Sequence, residues 1–388
     1  MTKKLVVAGA GIAGLATALR LSRAGWQVLV VERAPARRSS GYMVNLLGHG
    51  YDAVERMGLL PALTPRDLGL FTALIVRPDG SQKFTVPAAL AEAAVGPRAL
   101  TVFRGDLESV LYEAVCDHVE IRFSTTVVGV SQDSGGVDVV LSDGTTERAD
   151  LLVGADGLHS GVREVVFGSE ADFRVDMDHL VGAFPLSRLP REVPDGASAT
   201  FIGPRRTAAV VNLGPGSSSA FFAYHRADTA TELARGPAQA LGEAFADLGG
   251  AFPEVLAQVG DGAYFDSVSQ IAMDSWSRGR VVLLGDAAWC VTLFAGYGAA
   301  LALTGADQLG IALAEHDVPT ALALWESRLR PEVRKRQALA RKGISQFAPP
   351  TRAHVFARDL VIRAIQLPGL RGLVRRSVQR ANQPKPLS

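Results

Sequence analysis

Leu5-Val6-Val7-Ala8-Gly9-Ala10-Gly11-Ile12-Ala13-Gly14, followed by Leu15, Ala18, Leu19 and Leu21 at helical spacing and then by Val28-Leu29-Val30-Val31-Glu32, decides how this chain begins to fold. The first four residues make a short apolar run suited to a buried parallel strand, and it ends directly on the glycines. Gly25 is placed to stop the helix that follows, and a second buried strand ends on an acid. Strand, glycine loop, helix, strand, acid is the unit that holds the adenosine diphosphate half of a dinucleotide. Gly9 permits the tight turn, Gly11 lets the backbone approach a pyrophosphate, and Gly14 lets helix and strand pack closely. The helix N-terminus supplies free N–H groups and a positive dipole end, and Glu32 can accept hydrogen bonds from ribose hydroxyls. A glycine turn with only a packing role does not explain that acid. The unit alone leaves NAD and FAD undecided, since both carry the same adenosine half.

The whole chain has 388 residues, 48% hydrophobic and 20% charged. That is enough for a sizeable core and two or three domains. Forty basic residues against thirty-nine acidic ones leave a formal charge of +1, so nothing draws the protein electrostatically to nucleic acid, and a small ligand is expected. Cys116 and Cys290 are the only cysteines. They lie far apart without a metal-ligand spacing, which predicts no disulfide framework and no metal site and fits a reduced cytoplasmic interior. Met1-Thr2-Lys3-Lys4 before an apolar run has the outline of a secretory signal. The phosphate-loop glycines, Arg20 and Arg23, and the lack of an A-x-A-like cleavage site argue against one. No later run reaches the roughly 18 uncharged apolar residues of a membrane span.

Two further stretches share one design. Ala149-Asp150-Leu151-Leu152-Val153-Gly154-Ala155-Asp156-Gly157, with Ser160 and Arg163 beyond it, and Gly279-Arg280-Val281-Val282-Leu283-Leu284-Gly285-Asp286-Ala287-Ala288 each run a strand into a small-residue turn carrying an acid. Open α/β sheets bind ligands at such strand ends, although each acid alone could be a helix N-cap. Gly296-Tyr297-Gly298-Ala299-Ala300-Leu301 then opens a good helix former, so its N-terminus faces the ligand.

With these motifs in hand, the chain resembles the class A flavoprotein monooxygenases, the group of para-hydroxybenzoate hydroxylase and the tetracycline-inactivating enzymes. The carriers are GAGIAG with Glu32-Arg33, Phe103-Arg104-Gly105-Asp106-Leu107, GADG at 154–157, and GDAA at 285–288 with Gly296-Tyr297-Gly298. The resemblance spans most of the chain. It implies an α/β fold: a Rossmann-type FAD-binding domain (1–75, 98–172 and 275–330), an inserted, mainly antiparallel substrate sheet (76–97 and 173–274), and C-terminal helices (331–388). It implies FAD as cofactor, with Asp286 on the ribityl chain, Arg104 near flavin and pyrophosphate, and Asp156 serving the cofactor. The expected cofactor contacts are Gly9, Gly11, Ala13, Gly14, Glu32, Arg33, Val44, Arg104, Val127, Asp156, Asp286, Gly298 and Ala299. NADPH or NADH would be a transient reductant, as no second glycine-loop-plus-acid unit is evident; Arg33, Arg37 and Arg38 could meet its phosphates. One oxygen of O2 would pass through a flavin C4a-hydroperoxide to a small hydrophobic metabolite, aromatic or polyketide-like. No side chain is assigned the chemistry, and there is no Ser/His/Asp order, zinc spacing or Walker sequence. The protein would be a monomer or homodimer.

The stretch from about Phe173 to Asp274 carries strand-like runs, Thr207–Leu213 and Ser219–His225, around the break Gly214-Pro215-Gly216-Ser217-Ser218. A helix around Ala238–Leu248 and a strand Ser267–Ile271 follow. Phe201, Tyr224, His225, Trp289 and Leu293 are the candidate substrate contacts, because aromatic and apolar walls suit a flat substrate; core packing would equally place them inside. Relatives usually carry proline at the position of Leu293 and histidine at that of Trp289, so hydroxylation, epoxidation, Baeyer–Villiger insertion and desaturation all stay open, as do a flavin reductase and a non-catalytic FAD-binding protein. Residues 352–380 form a basic, partly amphipathic tail that could lie on a membrane surface or pack back across the domains.

Overall fold

In chain order the strands are β1 (Lys4–Ala8), β2 (Gln27–Val31), β3 (Met43–Leu47), β4 (Thr72–Val76), β5 (Gln82–Val86), β6 (Ala99–Phe103), β7 (Glu120–Arg122), β8 (Val127–Gln132), β9 (Val137–Leu141), β10 (Thr146–Ala149), β11 (Leu151–Gly154), β12 (Arg174–Pro185), β13 (Ala197–Gly203), β14 (Arg206–Asn212), β15 (Ser219–His225), β16 (Tyr264–Ile271), β17 (Ser277–Arg278) and β18 (Val281–Leu283). The structure is a computed structural model and describes residues 2–37, 42–90, 98–292, 294 and 296–366. The helices that build the site are α1 (Ile12–Arg23), α2 (Arg104–Glu113), α3 (Gly161–Val166), α4 (Asp286–Trp289) and α5 (Gly298–Glu315). Behind them come α6 (Val318–Phe347) and α7 (Arg352–Ile365).

Six strands form a sheet in the order β17-β18-β11-β1-β2-β7, parallel except at β17. A parallel sheet is covered on both faces and needs near-continuous apolar runs. Leu5–Ala8, Val28–Val31, Leu151–Gly154 and Val281–Leu283 supply them, all buried. Register then does the rest. Ala8 pairs with Val31 on one side and Gly154 on the other, and Gly154 with Leu283. The four strands therefore end level, and the turns at 9–14, 154–157 and 285–288 meet although more than a hundred residues separate each from the next.

Two glycines make that meeting possible. Gly9 has φ +102°, and a Cβ there would sit 2.4 Å from the carbonyl oxygen of Ala155. A Cβ on Gly14 would lie 1.8 Å from the carbonyl oxygen of Gly9, so α1 can reach β1 only without a side chain at that point.

The second large sheet has seven strands in the order β16-β12-β15-β14-β13-β4-β5. All its pairings are antiparallel except β13 with β4. One face buries Leu180, Phe184, Phe222 and Tyr224 against Leu241, Phe245 and Phe252. The helix anticipated over 238–248 spans Pro237–Ala244, because Phe245 ends it by burying its ring in this core. The strand anticipated from Ser267 begins at Tyr264.

The second sheet is joined to the first at β16. The backbone N–H of Ile271 donates to the carbonyl of Cys290 at 3.3 Å, and Gln337 of α6 donates to the Ile271 carbonyl at 2.8 Å. Helix α6 runs unbroken through residue 331, with Pro331 inside it. Helix α7 lies against the second sheet through an ion pair of Asp359 with Lys83 and through Arg363, 4.8 Å from the Phe84 ring centroid. Its outer face shows Phe356, Leu360 and Val361 rather than a purely basic surface. The rest of the anticipated basic tail, from residue 367, lies outside the described residues. Among those described, no helix is long and apolar enough to cross a membrane, and no group of three or more His, Cys, Asp or Glu is placed to hold a metal ion.

Gly14→Ala should lower stability by on the order of 3 kcal/mol, since backbone rather than a flexible side chain must give way. Gly242→Ala, on an open helix face with nothing within 4 Å, should raise it by about 1 kcal/mol. Urea denaturation midpoints moving in opposite directions are the expected result.

Candidate functional site

Helix α1 begins at Gly11 without a side-chain cap and without an acid in its first turn, so its first N–H groups are left for something other than the protein. A Cβ on Gly11 would meet nothing closer than 3.7 Å, where it finds Arg104 Nη2 and Glu108 Oε1. Packing does not require glycine here; open space over a helix N-terminus does, and a phosphate fits that space. Arg104 arrives through the two-stranded antiparallel sheet of β3 and β6, in which Met43 pairs with Phe103, and its N–H donates to the Tyr42 carbonyl at 2.9 Å. Its guanidinium pairs with Glu108 at 2.6 Å. Burial raises the Glu108 pKa, with Arg104 and Arg37 working against it.

Glu32 accepts the Ala10 N–H on one oxygen and the Ala34 N–H on the other, both at 2.8 Å. It thus braces the glycine loop against the end of β2, and each oxygen keeps a lone pair for a ribose hydroxyl. Beyond it Arg33 is exposed. Arg37 lies over the Tyr112 ring and donates to Ser109 Oγ, while Arg38 lies outside the described residues.

The 154–157 turn spends its acid locally. Asp156 accepts from Ser160 Oγ at 2.5 Å and from the Val162 N–H at 3.0 Å, while Ser160 accepts from the Arg163 N–H. Asp156 is therefore part of the cap of α3, the alternative its sequence left open; burial raises its pKa against these bonds. Val127, at the start of β8, is buried beside this helix start.

Arg163, which the motif reading named beside the turn, received no role there. Its side chain is fully buried and donates to the carbonyls of Ala287 (3.0 Å) and Leu158 (2.6 Å) and to Glu170 (3.0 Å). It clamps the 154–157 turn to the 285–288 turn. His159, in the same turn, reaches Glu170 at 3.1 Å and Asp266 of β16 at 3.6 Å. The Asp266 bond leads the causes that raise its pKa.

Asp286 projects into the space these turns enclose. Solvent reaches its side chain, yet protein surrounds it closely enough that burial raises its pKa, opposed by Arg104 and by a hydrogen bond with Cys290. A Cβ on Gly285 would press on Ala13 Cβ at 2.9 Å, which sets the acid beside the start of α1. Helix α5 opens opposite, again without a side-chain cap or a first-turn acid. A Cβ on Gly298 would meet only Asp286 Oδ1, at 3.9 Å. Ala299 follows in the first turn, half-buried, and Val44 of β3 is half-buried on the strand that runs beside α5. Asn45 brings its amide toward Gly296.

Two tyrosines that no motif marked stand where this recess meets the second sheet. The rings of Tyr42 and Tyr264 lie 5.5 Å apart at 49°. Burial pushes the Tyr42 pKa up to about 12 and raises that of Tyr264 as well. Cys290 is buried, its thiol donating to the Ser269 carbonyl at 3.4 Å, and burial with Asp286 raises its pKa. Thr292 next to it has φ +80° and a buried hydroxyl without a partner. Strain and an orphan hydroxyl coincide on the segment between the two flavin-type motifs.

The anticipated substrate residues divide. Phe201 (4% exposed) and Tyr224 (2%) are enclosed in the core of the second sheet, the Tyr224 hydroxyl donating to Glu232. Trp289 (1%) packs with Trp276 and Trp325 at centroid distances of 4.6 and 5.7 Å. Core packing accounts for all three. His225 is half-buried, edge-on to His179 at 5.1 Å, and borders a surface cleft of about 500 Å³ with Arg205 and Arg226. Leu293 lies outside the described residues.

Residues 2–323 match the family described as FAD binding domain. The flavin-dependent monooxygenase eupH of a Phoma species is 33% identical over 78% of this chain and 75% of its own. The chain belongs to the class A FAD-dependent monooxygenases. The fold of this monooxygenase is that of tetracycline destructase Tet(55), with TM-score 0.81 and 24% identity over 100% of this chain and 98% of that one. Klebsiella pneumoniae HpxO complexed with FAD and uric acid superposes with TM-score 0.79, at 23% identity over 100% and 98%. The Gly11 space, the two uncapped helix starts and the acid between them fit FAD.

Because Gly11 leaves space that the protein itself does not need, Gly11→Ala should cost the apoprotein less than about 1 kcal/mol. It should nonetheless weaken FAD binding tenfold or more, read by flavin fluorescence on release. Asp286→Asn should also weaken FAD retention while leaving the apoprotein folded.

Proposed function

We propose that this monooxygenase uses NADPH or NADH together with O2 to oxygenate a small hydrophobic metabolite, aromatic or polyketide-like. The observation that carries this reading is the convergence of two uncapped helix starts, Asp286 and Arg104 beside Tyr264, the residue that opens the edge strand of the seven-stranded sheet. That sheet, with the strands β4 and β5, is assigned to the substrate, and the parallel sheet with its turns to FAD. Gly9, Gly11, Ala13 and Gly14 would take the pyrophosphate, Glu32 the adenosine ribose, Asp286 the ribityl chain, and Gly298 with Ala299 the flavin ring. Bound FAD supplies oxygen activation and transfer of one oxygen atom once a nicotinamide nucleotide has reduced it.

The side chains bind, orient and shield. The start of α5 offers a positive dipole end to a reduced, anionic flavin ring. Arg104 offers a full positive charge in the same recess. Tyr42 and Tyr264 stay protonated at neutral pH and are donors there. The apolar second sheet keeps water from the reacting atoms, which matters when a reactive oxygen species must reach substrate rather than decay. The uric acid complexed with HpxO is a planar ring bearing oxygens, the class of molecule proposed here.

Incubating the holoprotein with NADPH or NADH, a metabolite panel and labelled O2, followed by mass spectrometry, tests the reading. One labelled oxygen in a product, with nucleotide oxidation faster in its presence, is expected. Nucleotide oxidation without label in any product would indicate a reductase, and flavin that neither nucleotide reduces would indicate a binding protein.

A further inference from the structure

The substrate chamber must touch both the flavin motifs and the second sheet, so the groups at their junction choose what enters. Tyr42 leads into β3 on the flavin side, and Tyr264 opens β16 of the second sheet, paired with Ala183. Their rings are in contact across that junction, tilted rather than stacked, which leaves ring surface for a third planar group. Both side chains are half-buried, and neither hydroxyl hydrogen-bonds a described residue. At a half-buried junction between two sheets an unused phenolic O–H is a donor awaiting an acceptor. The Arg104 guanidinium lies 5.8 Å from the Tyr42 centroid, with its partner Glu108 and with Asp286 close by, so the acceptor that suits the pair is a neutral oxygen.

We propose that Tyr42 and Tyr264 are the specificity-determining pair of the substrate site, taking a planar aromatic or enol whose ring oxygen accepts from their hydroxyls. This rests on the monooxygenase substrate reading above and narrows it. A planar hydrocarbon of the same size gains only the ring contacts. A phenol or enol gains the hydrogen bonds too. The pair acts by binding and orientation; the electron-rich carbon next to the held oxygen is then the one presented for reaction.

The test uses FAD-loaded protein with two probes, 1-naphthol and naphthalene, titrated through the change each makes in the flavin absorption spectrum. No turnover is needed. Tyr42→Phe and Tyr264→Phe should each weaken 1-naphthol binding about fivefold, one hydrogen bond's worth, and leave naphthalene unchanged. Tyr264→Leu should weaken both probes. FAD affinity should stay within about twofold of wild type in Tyr264→Phe, which a merely structural role would not predict. Equal loss for both probes in the Phe variants, loss matched by FAD release, or wild-type protein that binds 1-naphthol no better than naphthalene would overturn the proposal. The phenylalanine variants keep the rings, so a folding failure of Tyr264→Leu leaves the test intact. Discrimination between the probes without any labelled-oxygen product would sink the function proposed above and leave this site standing.

Discussion

Level strand ends in a parallel sheet are what the rest of the site depends on. The register that pairs Ala8 with Val31 and Gly154, and Gly154 with Leu283, converts three distant turns into one surface. Each turn then carries its own chemistry to that surface: free N–H groups at Gly11, a helix cap at Asp156, a carboxylate at Asp286. A one-residue slip would send each strand's side chains to the opposite face and offset the turns. The buried apolar runs on both faces make that slip costly.

Arg163 fastens what register aligns. A buried guanidinium is expensive unless its donors are used, and removing such a group costs several kcal/mol because partners are stranded. Here both terminal nitrogens are used, on two backbone carbonyls from different turns and on Glu170, while Nε is left without a partner. The same arginine therefore fixes the distance between the two acidic turns. Ala13 against Gly285 fixes the remaining gap, to α1.

The strand-loop-helix unit, both later turns and the start of α5 were legible in the sequence because each is a local pattern: an apolar run, small residues at fixed offsets, an acid. So was β15, to the residue. Contacts that depend on which strand lies beside which were not. Tyr42 and Tyr264 stand 222 positions apart in the chain and share no motif; only the meeting of the β3–β6 sheet with β16 brings them together. Phe201, Tyr224 and Trp289 were singled out for being aromatic, yet composition carries no information about which face of a strand a ring takes when both faces are covered. Asp156 was ambiguous in sequence for a physical reason: an acid after a strand and before a helix is as well placed to cap as to bind.

The anchoring of β16 has a consequence for how selectivity arises. Its Ile271 end is bonded to the Cys290 carbonyl and to Gln337, and Arg341 holds Gln270 from the same long helix. Tyr264, at the other end of that strand, therefore stands on a beam bolted to the cofactor's own supports. If Tyr264 walls the substrate site as proposed, a wall held this way would act as a template of set dimensions, sorting molecules by how well they match it before any part of the protein has to close.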